Sequence, residues 1–393
     1  MTITNFKYRD IIHRCFRCGY CKFPINWIDV NNCPAYARFR LESYSCGGRL
    51  WLTRAWLNGE IEWTEHLGQI LYSCTACKNC EEKCPLSFNI DINNMIVAAK
   101  GEMIERGQVP SQVKEFLENI QRQGNPYGTA RSRRGEWLER TGIEQYKGQE
   151  FLYYVGCVGS YDTRAQESAK ALGKVLQKAG VSFGVLGNEE NCDGNEVNNL
   201  GEEALFEMLA EENIQEFKDL GITKIITLSP HSYNAIRNYY PLLNGHFEVY
   251  HYTRFLQDLL RNKRLNISPG LGARITYHDP CFLGRWNGEY DAPRMVLRSI
   301  PGIELVEMDK NRASALCCGG GGGNFYTDFL GGSESSPARI RVRDASATGA
   351  TILAVACPNC MTMLQDAVKA EGLEDKLAVK DISEIVAEAS GLA

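Results

Sequence analysis

The sequence predicts an α+β fold that includes α/β units: a cysteine-rich helical domain, followed by two copies of one α/β domain. Three observations support this prediction. Nine of the 16 cysteines lie in the first 84 residues, short β-rich runs alternate with helical stretches beyond residue 150, and cysteine landmarks recur later in the chain. The length of 393 residues is sufficient for several domains.

Composition excludes several classes of protein. The 43 Lys and Arg residues against 48 Asp and Glu give a net charge of −5, which does not favour a nucleic-acid-binding protein. The N-terminus MTITNFKYRD lacks the apolar core of a signal peptide, and no apolar run is long enough to span a membrane. We therefore expect a cytoplasmic protein without a transmembrane segment, in which clustered cysteines bind metal.

The first domain, expected over residues 1–110, contains two related cysteine motifs. One is the run Cys74-x2-Cys77-x2-Cys80-x3-Cys84-Pro85, which is the spacing of two-cluster bacterial ferredoxins. The other has the same first two spacings and a more distant Cys-Pro pair, Cys33-Pro34. In such runs the remote Cys ligates the other cluster. We therefore assign two cubane [4Fe–4S] clusters, one to Cys15, Cys18, Cys21 and Cys84, and one to Cys74, Cys77, Cys80 and Cys33. The alternative is two zinc sites of four thiolates each.

Cys46 belongs to neither motif and is interpreted as a small structural residue, with a regulatory thiol as the alternative. Residues 111–150 are expected to form a linker, because they include the polar, Gly-containing, basic stretch QRQGNPYGTARSRRGEW. Its Arg131, Arg133 and Arg134 are expected to be solvated, although they could instead dock an acidic partner.

Beyond residue 150, strands and helices alternate as in parallel α/β proteins. In the first unit, expected over 151–265, strands are predicted at 151–157, 181–187, 224–230 and 247–252, and helices at 163–179 and 197–220. In the second unit, expected over 270–393, strands are predicted at 273–280, 303–308, 351–358 and 377–382.

The two units are predicted to be copies of each other. Cys157 corresponds to Cys281 and Cys192 to Cys317, at offsets of 124 and 125 residues. The tetrapeptide SPHS at 229–232 corresponds to CPNC at 357–360, at an offset of 128. The small drift in the offset is what loop insertions would produce.

The second unit carries five cysteines in three loops that each follow a strand. Ligands of α/β proteins bind where the strands end, so the five thiolates can converge at one edge of the sheet. Five thiolates exceed the needs of one zinc ion or one cubane, and the glycine run 319–323 is not a phosphate-binding loop. We expect this run to pack against a bulky cofactor with its amides aimed at sulfur; the alternative is disulfide pairing. The five are Cys281, Cys317, Cys318, Cys357 and Cys360.

At these residues the sequence resembles a known family. The segments CFLGRWNGEY, CCGGGGGNF and ACPNC are similar to the CCG domain of heterodisulfide reductases, in particular of their D-type subunits, and of related iron–sulfur oxidoreductases. The resemblance implies a ferredoxin-like two-cluster domain, a linker and two CCG domains, and a noncubane [4Fe–4S] cluster held by those five cysteines. Within the family, the arrangement most resembles the electron-transfer subunit associated with tungsten-dependent benzoyl-CoA reductase.

The first unit departs from the family pattern. Asp193 stands where the second Cys of the Cys-Cys pair is expected, and Ser229 and Ser232 replace the cysteines of Cys-Pro-x-Cys. A second noncubane cluster is therefore not expected. Either the site is a vestige kept for its fold, or one zinc or iron ion is held by Cys157, Cys192, Asp193 and His231.

The remaining histidines are expected to be structural, although His278 and Asp279 stand just before Cys281 and could contact the cluster ligands. These histidines are His13, His66, His246, His251 and His278.

The sequence offers clusters and little other chemistry. It contains no GxGxxG motif, nucleophile motif or evident carboxylate pair, so no catalytic side chain is assigned. We expect a subunit that relays electrons between partners, which the resemblance implies contain flavin and iron–sulfur centres and serve aromatic acyl-CoA reduction. The alternative is a disulfide or heterodisulfide reductase acting at the C-terminal cluster, and a third is a zinc-bound scaffold protein.

Overall fold

The computed structural model describes residues 6–23, 32–267 and 272–392. Up to residue 123 the described chain forms helices and no strands. Ser45 caps the helix that begins at Cys46 by accepting a hydrogen bond from the Gly48 amide, and Thr64 caps the helix that begins at Glu65 by accepting one from the Leu67 amide. The helices are α1 (Arg9–Ile12), α2 (Pro34–Phe39), α3 (Cys46–Leu57), α4 (Glu65–Tyr72), α5 (Asn79–Lys83), α6 (Ile92–Glu105) and α7 (Ser111–Gln123).

The first α/β unit contains a four-stranded parallel sheet. Its strands are β1 (Phe151–Tyr154), β2 (Phe183–Gly184), β3 (Lys224–Thr227) and β4 (Glu248–His251), in the order β2-β1-β3-β4. Its helices are α8 (Gly156–Tyr161), α9 (Thr163–Lys178), α10 (Asn195–Asn199), α11 (Glu203–Asp219), α12 (Pro230–Asn234) and α13 (Tyr252–Arg261).

The second unit repeats this topology. Its parallel strands are β5 (Ala273–Tyr277), β6 (Ile303–Val306), β7 (Ile352–Val355) and β8 (Ala378–Asp381), in the equivalent order β6-β5-β7-β8. The predicted repeat of an α/β domain is therefore confirmed. Its helices are α14 (Asp291–Arg298), α15 (Asn324–Thr327), α16 (Pro337–Ala347), α17 (Pro358–Ala370) and α18 (Ile382–Ala389).

The long helix predicted at 197–220 is wrong, because the chain breaks between α10 and α11 at Gly201. Gly201 adopts a φ of +90°, and a Cβ there would lie 2.4 Å from the amide nitrogen of Gly101 in α6. A close approach between distant helices therefore requires this break. The strand predicted at 181–187 is also shorter in the structure, where only Phe183 and Gly184 pair with β1.

The three parts of the chain share hydrophobic cores. One core joins the N-terminal helices to residues of the first unit such as Leu152 and Tyr154, a second joins the sheets of the two α/β units, and a third places Ala76 and Cys77 among residues of the second unit. The segment 111–150 participates through α7, whose Val113, Phe116 and Ile120 are buried. None of the described helices combines the length and apolarity needed to cross a bilayer.

Candidate iron–sulfur centres

The two thiol sets assigned in the N-terminal domain surround two cavities, which we call the first and second N-terminal cavities. The first is lined by Cys15, Cys18, Cys21 and Cys84. The second is lined by Cys33, Cys74, Cys77 and Cys80. Each cavity thus takes its fourth thiol from the other motif. Four thiols around one pocket fit a [4Fe–4S] cluster, and the ligation itself stays a prediction.

The two motifs also share an unusual backbone conformation. Arg17 and Ala76, each two residues after the first Cys of its motif, have φ of 58° and 50°. Gly19 and Lys78, each directly after the second Cys, have φ of 92° and 59°. Non-glycine residues rarely adopt this left-handed conformation, and here it recurs at the same two positions within each triple of thiols.

The first turn of α3 lies between the two N-terminal cavities. Cys46 lines both cavities, together with Cys21 of one set and Cys80 of the other. On the same turn, the Arg49 guanidinium lies 4.0 Å from the sulfur of Cys33 and is fixed by the carbonyl of Ile70. Burial raises the pKa of the Cys33 thiol to about 12, against the opposing charge of Arg49. Sequence reasoning missed the position of Cys46 beside both sets, because the motif spacing excludes this cysteine from each.

The five cysteines of the second unit come together in a buried cluster at the carboxyl ends of β5 and β7. The sulfurs of Cys281 and Cys317 are 3.9 Å apart, and those of Cys318 and Cys360 are 3.4 Å apart. The amide of Gly319 donates to the sulfur of Cys317. Burial raises the pKa of the Cys357 thiol, but hydrogen bonds from Cys360 and His231 outweigh it and bring this pKa to about 5. We call this group the C-terminal thiol cluster.

A buried cation, Arg285, lies beside the C-terminal thiol cluster. It lies close enough to Cys77, Cys281 and Cys317 for their negative charge to raise its pKa, although burial opposes this. Its Nη2 atom and the Nε2 atom of His278 have no hydrogen-bond partner among the described residues. Unpartnered buried donors beside several thiols fit a group with anionic sulfur ligands. Arg285 follows no motif and was missed from the sequence.

Two residues that precede Cys281 in the sequence have separate roles. A nitrogen of His278 lies within 4.8 Å of the sulfurs of Cys318 and Cys360, so this histidine contacts the thiol cluster. Asp279 instead forms a buried bidentate ion pair with Arg294, at 2.6 and 2.9 Å, which anchors α14.

The second N-terminal cavity adjoins the C-terminal thiol cluster. Cys77 packs with Cys317 in the same buried core, and Arg285 Nε donates to the Cys77 carbonyl at 2.5 Å. The glycine run packs against the same segment: a Cβ on Gly321 would lie 2.5 Å from the Thr75 carbonyl oxygen, and one on Gly322 would lie 2.4 Å from that of Cys74. The glycines at 321 and 322 therefore allow backbone contact between domains, which differs from the expected packing against a cofactor.

The first α/β unit has a small cavity at the equivalent place, which we call the first-unit cavity. Cys157, Cys192, Asp193, Ser232 and His231 line it. The Ser232 hydroxyl donates to Asp193 Oδ2 at 2.6 Å, in the position where Cys318 and Cys360 meet in the second unit. The polar groups that replace the missing thiols thus satisfy one another, as expected for a vestigial site.

The single-ion site proposed in the first-unit cavity stays a prediction, and the contacts of its four residues do not favour it. Asp193 accepts hydrogen bonds from Ser232 and from the Asn195 amide, and His231 Nδ1 lies 2.6 Å from Glu196 Oε1. Among the described residues, three or more ligand atoms within 4.8 Å of one another occur only at His278, Cys318 and Cys360.

Arg134 is the main correction to the expected linker. It is buried rather than solvated: its guanidinium lies 3.5 Å from the sulfur of Cys157 and forms a 2.7 Å ion pair with Glu190. Arg133, one residue earlier, is exposed as expected and pairs with Glu136 at the surface.

Two family models match the chain. A 4Fe-4S dicluster domain matches residues 11–88, and a cysteine-rich domain, CCG, matches residues 151–237 and 275–365. A crystal structure of a hypothetical protein from Helicobacter pylori superposes with a TM-score of 0.56 and 11% identity, covering 91% of this chain and 70% of that one. The likeness to that structure concerns the fold alone.

The chain is also similar to several curated proteins. It is 38% identical to a probable iron-sulfur-binding oxidoreductase, FadF, of Bacillus subtilis, over 81% of this chain and 46% of the relative. It is 32% identical to EtfAB:quinone oxidoreductase of Syntrophomonas wolfei, over 98% of this chain and 59% of the relative. It is 31% identical to the D subunit of dihydromethanophenazine:CoB–CoM heterodisulfide reductase of Methanosarcina mazei, over 96% of this chain and 94% of the relative. The chain therefore spans about half the length of the first two and nearly all of the third.

Proposed function

This chain belongs to the family of iron–sulfur oxidoreductases that join a 4Fe-4S dicluster domain to two CCG domains, and from that premise we propose that it is the electron-transfer subunit of a larger complex. The observation that carries the proposal is the proximity of successive thiol sets, with Cys46 lining both N-terminal cavities and with Cys77 and Cys317 packed in the same buried core. Iron–sulfur clusters, when bound, supply one-electron carriers.

The residues of the chain would hold and insulate three such centres. Cys15, Cys18, Cys21 and Cys84 would hold one cubane, Cys33, Cys74, Cys77 and Cys80 the other, and the five cysteines of the second CCG domain a noncubane cluster. Arg49 and Arg285 provide buried positive charge beside these thiols, and the apolar core around Cys77 keeps water from the contact between domains.

The partners and substrate of the complex belong to the same proposal. We propose partner subunits that contain flavin and iron–sulfur centres, supported by relatives that are named as subunits of oxidoreductases or as acting between EtfAB and quinone. We further propose that the complex serves the reduction of aromatic acyl-CoA substrates such as benzoyl-CoA. Its support is the sequence resemblance alone.

Metal analysis tests the cluster assignment. Anaerobically purified protein should contain about 12 iron per chain with matching sulfide, as expected for three clusters of four iron, and EPR of the reduced protein should show their signals. Stoichiometric zinc without iron would end the proposal. About 16 iron per chain would instead show that the first CCG domain binds a cluster despite its lost cysteines.

A second candidate function is disulfide or heterodisulfide reduction at the C-terminal thiol cluster. It is favoured by the similarity over nearly the full length to one of the subunits of a heterodisulfide reductase. Reduction of small disulfides by the holoprotein with a reduced viologen, compared with Cys318→Ala, distinguishes the two functions. Activity that depends on Cys318 would favour this second function, and no activity in a fully iron-loaded protein would favour transfer between partners.

A further inference from the structure

The tetrapeptides SPHS and CPNC occupy equivalent positions in the two CCG domains. Each follows the third strand of its sheet in chain order, and each begins a helix, α12 or α17, at its proline. Their third residues are His231 in the first domain and Asn359 in the second. Both side chains are buried.

Each of these third residues reaches the site of the other domain. Asn359 of the second domain lines the first-unit cavity together with Cys157 and Cys192. The His231 ring of the first domain lies close enough to Cys357 of the C-terminal thiol cluster to lower the pKa of that thiol. The ring centroid of His231 also lies 4.3 Å from that of Phe282, the neighbour of Cys281. The C-terminal cluster is therefore completed by a residue of the first domain.

Glu196 fixes the orientation of His231. Its Oε1 atom lies 2.6 Å from His231 Nδ1, and because an ionised carboxylate can only accept, the imidazole donates this hydrogen bond. Its Oε2 atom accepts from the amide of Gly323, in the glycine run of the second domain. Glu196 thus holds the ring from one side and the second domain from the other, and all of these groups are buried.

We propose that His231 is a positioning residue of the C-terminal centre, in which the imidazole, held by Glu196, donates a hydrogen bond to the Cys357 thiolate and stabilises the more negative, reduced state of the centre that this thiolate ligates. The inference rests on the proposed function, because it assumes a cluster at these cysteines. The inference gives the first CCG domain a role that does not require a cluster of its own. This domain lacks cysteine at 193, 229 and 232, but it supplies His231 to the site of the neighbouring domain.

The test uses the holoprotein and three variants. His231→Leu keeps a buried side chain of moderate size without a hydrogen-bond donor, and Glu196→Gln removes the carboxylate that orients the ring. Both should move the midpoint potential of the C-terminal centre, measured by EPR-monitored redox titration, to more negative values, since a hydrogen bond to sulfur favours the reduced state. His231→Leu should also lose an exchangeable-proton coupling that ENDOR detects in the wild type and that disappears after transfer to D2O.

Tyr233→Phe is the matched control. It lies on the same helix and removes a hydroxyl that is hydrogen-bonded by Arg237, so the potential and the coupling should both stay as in the wild type. If His231→Leu fails to load iron, Glu196→Gln decides by the same two readouts.

The failures can be told apart. A wild-type protein without the C-terminal EPR signal would overturn the proposed function. Full iron content with unchanged potential and coupling in the His231 and Glu196 variants would overturn this inference alone, and so would a shift of equal size in Tyr233→Phe.

Discussion

Arg134 and Glu190 form a buried ion pair where the segment 111–150 meets the first CCG domain. The two side chains are 1% and 2% exposed, and Glu190 also accepts hydrogen bonds from the amides of Val155 and Gly156. The guanidinium in turn contacts Cys157. Removal of the arginine would leave a carboxylate buried without its counter-charge, which is a large penalty.

We therefore predict that Arg134→Ala lowers the free energy of unfolding by about 3–5 kcal/mol. Arg133→Ala, at an exposed neighbouring site, should leave it essentially unchanged. Denaturant titration of the two iron-loaded variants checks the difference. Equal midpoints for both variants would contradict the structural role of Arg134.

These two arginines also show how far residue-level prediction from sequence can go. The N-terminal thiol sets could be assigned because cluster motifs depend on short, fixed spacings, and the structure places the four thiols of each set around one cavity, while their ligation of a cluster stays a prediction. Arg133 and Arg134 are chemically identical neighbours, and the difference in their burial depends on Glu190, which is remote in sequence and pairs with Arg134 alone. Arg285 and Glu196 were missed for the same reason, since their partners are remote in sequence.

Asp381 predicts a pH dependence of stability. Burial raises the pKa of this carboxyl to about 7, although hydrogen bonds from Ser383 and Tyr252 oppose the shift. Below this pKa the folded protein holds a proton that the unfolded chain, with a pKa of about 4, has released. Stability should therefore fall as pH rises from about 4 to about 7, by up to about 1.4 kcal/mol per pH unit for this group.

Unfolding by denaturant between pH 5.5 and 7.5 measures this slope, and Asp381→Asn should flatten it. The variant removes the titrating group but keeps a side-chain oxygen that accepts the hydrogen bond from Tyr252, so it controls for the loss of that contact. A slope that is unchanged in the variant would assign the pH dependence to other groups.

At the scale of elements, the glycine run 319–323 forms the backbone contact between the dicluster domain and the second CCG domain. Gly322 has a φ of +60° and no space for a Cβ beside the Cys74 carbonyl, whereas Gly332 has a φ of +68° and no described atom within 4 Å of that position. Alanine at Gly332 should cost about 1–2 kcal/mol for the left-handed conformation alone.

Gly322→Ala should lower the free energy of unfolding clearly more than Gly332→Ala does, because the added methyl group also pushes the two domains apart. It should in addition alter the EPR signal of the second N-terminal centre. Denaturant titration and EPR of both variants provide the comparison. Equal losses of stability would show that conformation, rather than close approach, explains the glycine at 322.

Element boundaries were predictable where they depend on local patterns. The strands β1, β3, β5 and β7 lie within the β-rich runs that predicted them, and the helix predicted at 163–179 is α9. The break between α10 and α11 was not predictable, because Gly201 looks like any helix-interior glycine until Gly101 is seen against it. The same holds for β2, which is shortened to two residues.

At the scale of the whole molecule, the three shared cores make the chain behave as one body. Asn125, Arg134 and Trp137 are buried, so the segment that the sequence presents as a linker is part of the packed structure.

We predict that limited trypsin treatment of the native holoprotein does not cut after Arg134, because this arginine is buried in an ion pair with Glu190. Exposed lysines and arginines elsewhere, such as Lys114 and Arg122 on α7, serve as internal controls for protease activity. Mass spectrometry of early fragments checks the pattern. Rapid cleavage at Arg134 would show that this segment opens independently.

The close approach at Gly321 and Gly322 has a kinetic consequence. The backbone at these glycines lies so close to that of Cys74 and Thr75 that a methyl group would not fit. The distance between Cys77 and Cys317 is therefore fixed by packing and does not depend on a domain motion against solvent. The rate of electron transfer between the centres on the two sides of this contact should thus be insensitive to added glycerol or sucrose. Electron transfer from an external partner requires a diffusional encounter, so its rate should fall in proportion to viscosity. Flash-initiated reduction in media of graded viscosity would separate the two steps.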